Sequence, residues 1–295
     1  MQAAKNDEII LTNNYSMPNK TNKEISDIIK YLYDLRGFDF RGNNPEMLSR
    51  RINHRLAATA NKSLVDYLEF LNGNDSELDN LIDSLTINVS RFFRDSFCFE
   101  YIASMLLPEI ISHKISSGDR SLRVWSAGCS SGEEPYSIAI IINELLEKEK
   151  TQLDVKIFAS DLDKKILTKA NKGEYSLDSV RDVKTGLLNK YFTKGKECYT
   201  ISDEIKNMVS FSFFDLLDKK NIVPQESIFG NFDIVLCRNV LIYFNLEHQE
   251  IIFDKISKSI RNKGYLILGE AELPTDNISD NFRRESAYCK TFIKK

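Results

Sequence analysis

Several things are missing from this 295-residue chain, and each absence narrows what it can be. No apolar run is long enough to span a bilayer, so a transmembrane helix is not expected. The N-terminus lacks a basic stretch followed by an apolar one, which argues against a signal peptide. The five cysteines, Cys98, Cys129, Cys198, Cys237 and Cys289, are odd in number and never spaced as CxxC. Neither a disulfide framework nor a zinc site is therefore expected, no metal ligand is assigned, and a reducing cytoplasm is the natural compartment. Charge has no dominant sign, with 40 basic against 43 acidic residues. A net charge of -3 gives no global attraction to nucleic acid or to an anionic membrane. There is no internal repeat, and no low-complexity segment beyond a polar N-terminal tail. What is present, 42% hydrophobic and 28% charged residues, suits a globular protein with one large domain or a large and a small one.

The chain changes character twice. Residues 1–22 are polar, rich in Asn and Lys, and read as a mobile tail. Residues 23–85 carry apolar positions at helical spacing: Ile25, Ile28, Ile29 and Leu32, then Leu64, Tyr67, Leu68 and Leu71. Gly37, Gly42 and Pro45 separate a first helix from a second that starts near Pro45. Residues 86–119 read as a linker and the first helix of a second, larger domain. From 120 to 295 short apolar runs at 122–125, 155–159, 209–213, 232–237 and 265–268 alternate with helical patterns at 136–147, 164–170 and 247–260. That alternation predicts an α/β domain with a mainly parallel sheet and helices on both faces. A last run at 287–293 suggests an edge strand. The interval 173–210 is longer than a crossover helix requires and holds turn residues, which suggests a small antiparallel β insertion.

Three strand ends carry residues fit for chemistry. The sharpest is VWSAGCSSGEEPYSI at 124–138, a strand running into a loop with Gly128 and Gly132 and then a helix. Glycines allow close approach of backbone to a ligand, and a helix start offers unpaired N–H groups. The spacing is GxxxG, so the GxGxxG dinucleotide fingerprint is not met. Glu133 and Glu134 would repel a pyrophosphate but suit a cationic ligand; equally, they could only complement the helix dipole. The second end is FASDLD at 158–163, where Asp161 is placed to accept ribose hydroxyls and Asp163 to cap the next helix. The third is CRNVLIYF at 237–244, which brings Arg238, Asn239 and Tyr243 to the same carboxyl-end rim, although Tyr243 and Phe244 could simply be core. Ahead of the sheet, TINVSRFFR at 86–94 has polar Asn88, Ser90 and Arg94, with Phe92 and Phe93 suited to anchor it; taken alone it reads as a helix start with solvated arginines.

In this order and at these separations, NVSRFFR, VWSAGCSSGEEPYSIA, FASDLD and CRNVLIYF resemble the CheR family of chemotaxis receptor methyltransferases, from about residue 24 to the C-terminus. The resemblance implies an all-α N-terminal domain and a Rossmann-like S-adenosylmethionine methyltransferase sheet with a small antiparallel insertion. It implies S-adenosylmethionine as cofactor, S-adenosylhomocysteine as product, and contacts to it from Asn88, Ser90, Arg94, Glu134, Asp161, Asp215, Leu216, Arg238 and Asn239. It also implies esterification of receptor glutamates, with Arg94 and Tyr243 beside the acceptor. Ser90 stands where many relatives have Thr, and Asp215 where some have Asn. Gly269, Glu270, Ala271 and Glu272 depart from a His-containing version of that segment, and no role is assigned to them.

The partner expected from the resemblance is the cytoplasmic helices of chemotaxis receptors. Residues 36–62 hold six basic against two acidic side chains in a net-acidic chain, and Arg50, Arg51 and Arg55 form the expected docking face. A solvated helix face is the plain alternative. RNA is the rival partner, without a stack of exposed aromatics to support it. Rival functions are methyl transfer to RNA or a small molecule, or a receptor-binding module without catalysis.

Overall fold

The computed structural model describes residues 19–41, 45–85, 90–274, 281–286 and 288–295. Residues 1–18 of the expected tail and Asn88 of the linker motif lie outside the described residues. The chain divides into two compact units: residues up to Arg36 with Arg41–Leu85, and Gly37–Phe40 with Thr86–Lys295.

Among the described residues the smaller unit holds four helices: α1 Asn19–Arg36, α2 Pro45–Ala58, α3 Leu64–Leu71 and α4 Asp75–Leu85. The first helix thus begins inside the stretch read as tail. Ile25, Ile28, Ile29 and Leu32 of α1 are buried, as their helical spacing requires, with Leu48, Ile52, Tyr67, Leu78, Leu81 and Leu85 from the other helices. Ser63 caps α3 by accepting the Asp66 N–H. Arg55 donates through Nε (3.0 Å) and Nη2 to both oxygens of Glu77, and the Tyr67 hydroxyl donates to the same carboxylate at 2.7 Å. Arg51 donates to the Ser84 carbonyl. The basic face expected on α2 is therefore partly turned inward: Arg51 and Arg55 hold α2 to α4, while Arg50 is exposed. Helix periodicity put Arg51 and Arg55 on one face but could not say that this face meets an acid from the neighbouring helix.

The larger unit begins with α5 Ser96–Tyr101, a π-helical turn at Ile102–Leu106 and α6 Leu107–Ser117. There follow β1 Ser121–Ala127, α7 Glu133–Lys148, β2 Asp154–Asp161 and α8 Lys164–Lys172. The insertion comprises β3 Glu174–Tyr175, α9 Leu177–Val180, α10 Thr185–Tyr191, β4 Phe192–Lys194, β5 Tyr199–Ile201 and α11 Asp203–Lys206. The chain then returns through β6 Val209–Phe213, β7 Phe232–Cys237, α12 Leu246–Ser259, β8 Ile260–Leu268, β9 Phe282–Arg284 and β10 Thr291–Lys294.

The main sheet has the order β6-β2-β1-β7-β8-β10-β9, parallel from β6 to β8 and antiparallel at β10 and β9. The insertion is a separate antiparallel sheet, β3-β5-β4, as its length and turns led one to expect. The run at 287–293 was expected at the edge; β10 instead lies between β8 and β9, because a further short strand pairs outside it. Side chains alternate along the strands between two cores. Leu122 and Val124 of β1 face one, with Ile234 and Leu236 of β7 and helices α5 to α7; Trp125 and Ala127 face the other, with Val235, Cys237 and Ile252, Phe253 and Ile256 of α12. Burial on both faces explains why these strands read as nearly unbroken apolar runs.

Cysteine usage pointed away from disulfides, yet Cys98 of α5 and Cys289 are disulfide-bonded, their Cα atoms 4.9 Å apart. They are 191 residues apart in sequence, and only the folding of the C-terminal strands onto the sheet brings them together.

Candidate active site

Everything of chemical interest at the sheet's carboxyl end starts from the strand–loop–helix at β1. Gly128 (φ +76°) and Gly132 (φ +92°) both take left-handed backbone, which admits glycine without strain. A Cβ on Gly128 would sit 2.4 Å from Val240 Cγ2, so this glycine also lets the loop after β7 close against the loop after β1. The Gly128 and Cys129 amides donate to the Ser160 carbonyl at 2.8 and 2.9 Å, tying the loop to the end of β2. Asp161 completes that tie: its Oδ2 accepts the Ser130 N–H at 2.8 Å and its Oδ1 the Asp163 N–H at 3.1 Å. Asp163 caps α8 by accepting from Lys165 and Ile166, as its position suggested. Burial pushes the Asp161 carboxyl up from its ordinary value.

Glu133 and Glu134 also separate. Glu133 accepts the Ser131 hydroxyl beside the helix start. Glu134 reaches β1 and the end of β7, accepting the Ser126 hydroxyl at 2.7 Å and Arg238 Nη1 at 3.1 Å. Burial pushes the Glu134 carboxyl up, with Arg238 opposing. Arg238, buried at the end of β7, reaches back with Nη2 to the Arg94 carbonyl (3.1 Å) and Asp95 Oδ2 (3.3 Å). One guanidinium thus joins the linker motif, the glycine-loop helix and β7.

The linker is held for this by its aromatics. Phe92 is fully buried, edge-on to Tyr175 and Phe192, while Phe93 packs on Phe99. Residues 90–94 do not start a helix, contrary to the local reading; the helix begins at Ser96, capped by Asp95. Phe93 (φ +55°), Asp95 (φ +65°), Ser130 (φ +49°) and Asn239 (φ +60°) all sit in left-handed backbone within the motif loops, a conformation that costs energy for residues other than glycine and gathers at functional sites.

The remaining candidates fall around this knot. The Phe214 N–H donates to the Asp161 carbonyl at 3.0 Å, so Asp215 and buried Leu216 follow directly beyond the β2 rim; Asp215 accepts the Leu217 N–H at 2.8 Å. Ser90 is half-buried, four residues before Arg94. Tyr243 is half-buried, its carbonyl accepting the Asp39 N–H at 2.6 Å and its ring 6.5 Å from Phe40. Neither side chain hydrogen-bonds into the Arg238 knot. A cleft of about 410 Å³ opens elsewhere, lined by Lys220, Ile222, Pro224, Ile228 and Ser259, and no motif residue lines it. Sequence reasoning missed Glu272, whose buried carboxylate accepts four backbone N–H groups behind Asn239.

The donor set fits S-adenosylmethionine. Two carboxylates, Glu134 and Asp161, are pushed up by burial and would be eased by a cationic, hydroxyl-bearing ligand. Two buried polar atoms, Ser130 Oγ and Arg238 Nε, have no hydrogen-bond partner among the described residues and could serve such a ligand's hydroxyl or carboxylate groups. Among the described residues no group of acids, histidines and cysteines could hold a metal ion, and no helix is long and apolar enough to cross a membrane.

A mainly parallel sheet with a glycine loop after β1, an acid ending β2 and polar residues ending β7 defines the class: a Rossmann-like methyltransferase. Residues 88–289 match the model described as CheR methyltransferase, SAM binding domain, and residues 23–86 the model described as CheR methyltransferase, all-alpha domain. The chain belongs to the CheR methyltransferase family, and S-adenosylmethionine is its cofactor. It is 30% identical to the chemotaxis protein methyltransferase of Borreliella burgdorferi over 92% of this chain and 95% of that one. It is 34% identical to chemotaxis protein methyltransferase 1 of Pseudomonas aeruginosa, over 84% and 88% respectively. Among solved structures, a magnesium protoporphyrin IX methyltransferase from Synechocystis with bound SAM matches with TM-score 0.35 and 15% identity, over 64% of this chain and 78% of that one.

Proposed function

We propose that the chain transfers the methyl group of S-adenosylmethionine to glutamate side chains of chemotaxis receptors in the cytoplasm, giving glutamyl methyl esters for sensory adaptation. The observation that carries this reading is the Arg238 knot, in which the linker motif, the glycine-loop helix and β7 share one buried cation. The printed names of relatives aligned over most of both chains support the chemotaxis setting.

When bound, S-adenosylmethionine supplies a methyl carbon made electrophilic by its sulfonium. A glutamate carboxylate is already ionised near pH 7, so no general base is required. An oxygen lone pair of the acceptor forms the O–C bond as the C–S bond breaks and its electron pair goes to sulfur. The protein's task is alignment, which can account for several powers of ten in rate. Arg94 and Tyr243 are assigned to orienting the acceptor. Arg94→Ala and Tyr243→Phe should lower kcat about 10-fold or more, with S-adenosylhomocysteine affinity less affected; unchanged turnover in both would refute the assignment.

For docking we propose an acidic receptor helix against α2. The exposed Arg50 is the residue to test, since Arg51 and Arg55 also hold the helical unit together. Binding should weaken with salt and weaken further in Arg50→Glu. The deciding experiment incubates receptor with methyl-labelled cofactor and looks for a base-labile methyl ester. Label on RNA or a small molecule, or none at all, would overturn the glutamate acceptor.

A further inference from the structure

Glu272 follows β8 in a segment with no expected role, yet all of its acceptor capacity is in use. Oε2 accepts the N–H groups of Asn239 (2.9 Å) and Gly269 (2.7 Å); Oε1 accepts those of Val240 and Leu241, both at 2.7 Å. A carboxylate offers about four lone-pair sites, so none is left over. The residue is 3% exposed, and its own carbonyl accepts Lys290 Nζ at 2.8 Å, which fixes the brace from the other side.

Three of the four donors are consecutive amides between Arg238 and Tyr243. They lead into the 3₁₀ turn Leu241–Tyr243, and Asn239 among them sits at φ +60°. Without an acceptor, these amides would be left unpaired in a partly buried loop that includes the left-handed backbone of Asn239. Gly269 is shaped to the same contact. A Cβ there would lie 2.7 Å from both the Asn239 nitrogen and Glu272 Oε2. The buried charge is also felt across the site, raising the Cys237 thiol after burial, its main cause, and opposing ionisation of Glu134.

We propose that Glu272 is a positioning residue for methyl transfer. It fixes the main chain from Asn239 to Leu241, and through it the presentation of Arg238, Asn239 and Tyr243 to cofactor and acceptor. It rests on the proposed function only for the transfer step, since its effect on cofactor binding is independent of the acceptor.

The test compares Glu272→Gln, Gly269→Ala and a control, Asp233→Asn. The glutamine replaces an acceptor oxygen with an amide that faces N–H donors. The alanine pushes into the same contact from the opposite side. Asp233 is equally buried but holds Lys114, Arg261 and the Arg123 amide at the other end of β7. Circular dichroism and Tm report folding, and calorimetry with S-adenosylhomocysteine reports the site. Glu272→Gln and Gly269→Ala are expected to weaken that binding about 10-fold and to lower kcat about 100-fold. Asp233→Asn should lower Tm with affinity unchanged. Affinity within ~2-fold of the parent in both rim variants would overturn the proposal. So would the same affinity loss in the control, or failure of both rim variants to fold. A parent protein that binds S-adenosylhomocysteine but forms no receptor ester would sink the glutamate acceptor and leave this comparison intact.

Discussion

Glu77 in the helical unit and Glu134 in the sheet unit are both largely buried glutamates beside an arginine, with side chains 6% and 15% exposed. Burial opposes both charges. At Glu77 it loses: two donations from Arg55 and one from Tyr67 hold the carboxyl below its ordinary value. At Glu134 it wins. Arg238 gives it only one N–H, turns Nη2 to Asp95 and the Arg94 carbonyl, and Glu272 adds a like charge nearby. The first arrangement is closed on itself and serves stability. The second leaves a carboxylate and Arg238 Nε incompletely satisfied, which is the state a site needs if a ligand is to complete it.

The strongest way to break this contrast is Arg238→Met. It strips Glu134 of its cation in a buried place and should cost about 3–5 kcal/mol in denaturant unfolding, with S-adenosylhomocysteine binding lost in calorimetry. Adding Glu134→Gln should recover part of the stability but not the binding. Arg55→Ala is the matching lesion in the helical unit. It should cost about 3 kcal/mol, seen as faster hydrogen exchange in α2 and α4, with affinity for S-adenosylhomocysteine unchanged.

A pH titration sharpens the comparison because the signs are opposite. Glu77 is depressed below the ordinary glutamate value, so its contribution is present above that value and is lost as pH falls through the lower folded one. Glu134 and Asp161 are raised, so the ligand-free sheet unit binds those protons more tightly than the unfolded chain does. Its stability should rise as pH falls through the raised values toward the ordinary ones, while affinity for the cationic S-adenosylmethionine declines. Hydrogen exchange resolved by segment checks the first pair of slopes and calorimetry the second. A common slope in both units would remove the distinction. The smallest effect is expected at Ser130→Ala: the hydroxyl has no partner among the described residues, so unfolding of the free protein should move by no more than about 0.5 kcal/mol. Cofactor affinity should fall a few-fold, by roughly the worth of one hydrogen bond.

Features whose signal is local were legible in the amino-acid sequence. The strands at 209–213 and 232–237 have the limits their apolar runs indicated, α2 starts at Pro45, and Asp163 caps α8. The insertion was visible as an interval too long for one crossover. Glu134 and Arg238 are separated by more than a hundred residues and yet pair directly, a contact that spacing along the chain does not indicate. Glu272 was missed because an acid that accepts backbone amides leaves no pattern: its partners are main-chain groups, which every residue has.

Periodicity, capping and motif order are written along the chain, and they carry most of the larger domain's strands and helices, their alternation, the glycine loop and the family resemblance. The tertiary structure decided which charges face which. It turned Arg51 and Arg55 toward the helical unit's own fold, joined Cys98 to Cys289, set β10 inside the sheet and aimed the Glu272 carboxylate at the β7 loop. Each of these depends on distances between segments well separated in the chain, and such distances are fixed only when the helices of the smaller unit pack on one another and, in the larger unit, the two cores close on both faces of the sheet.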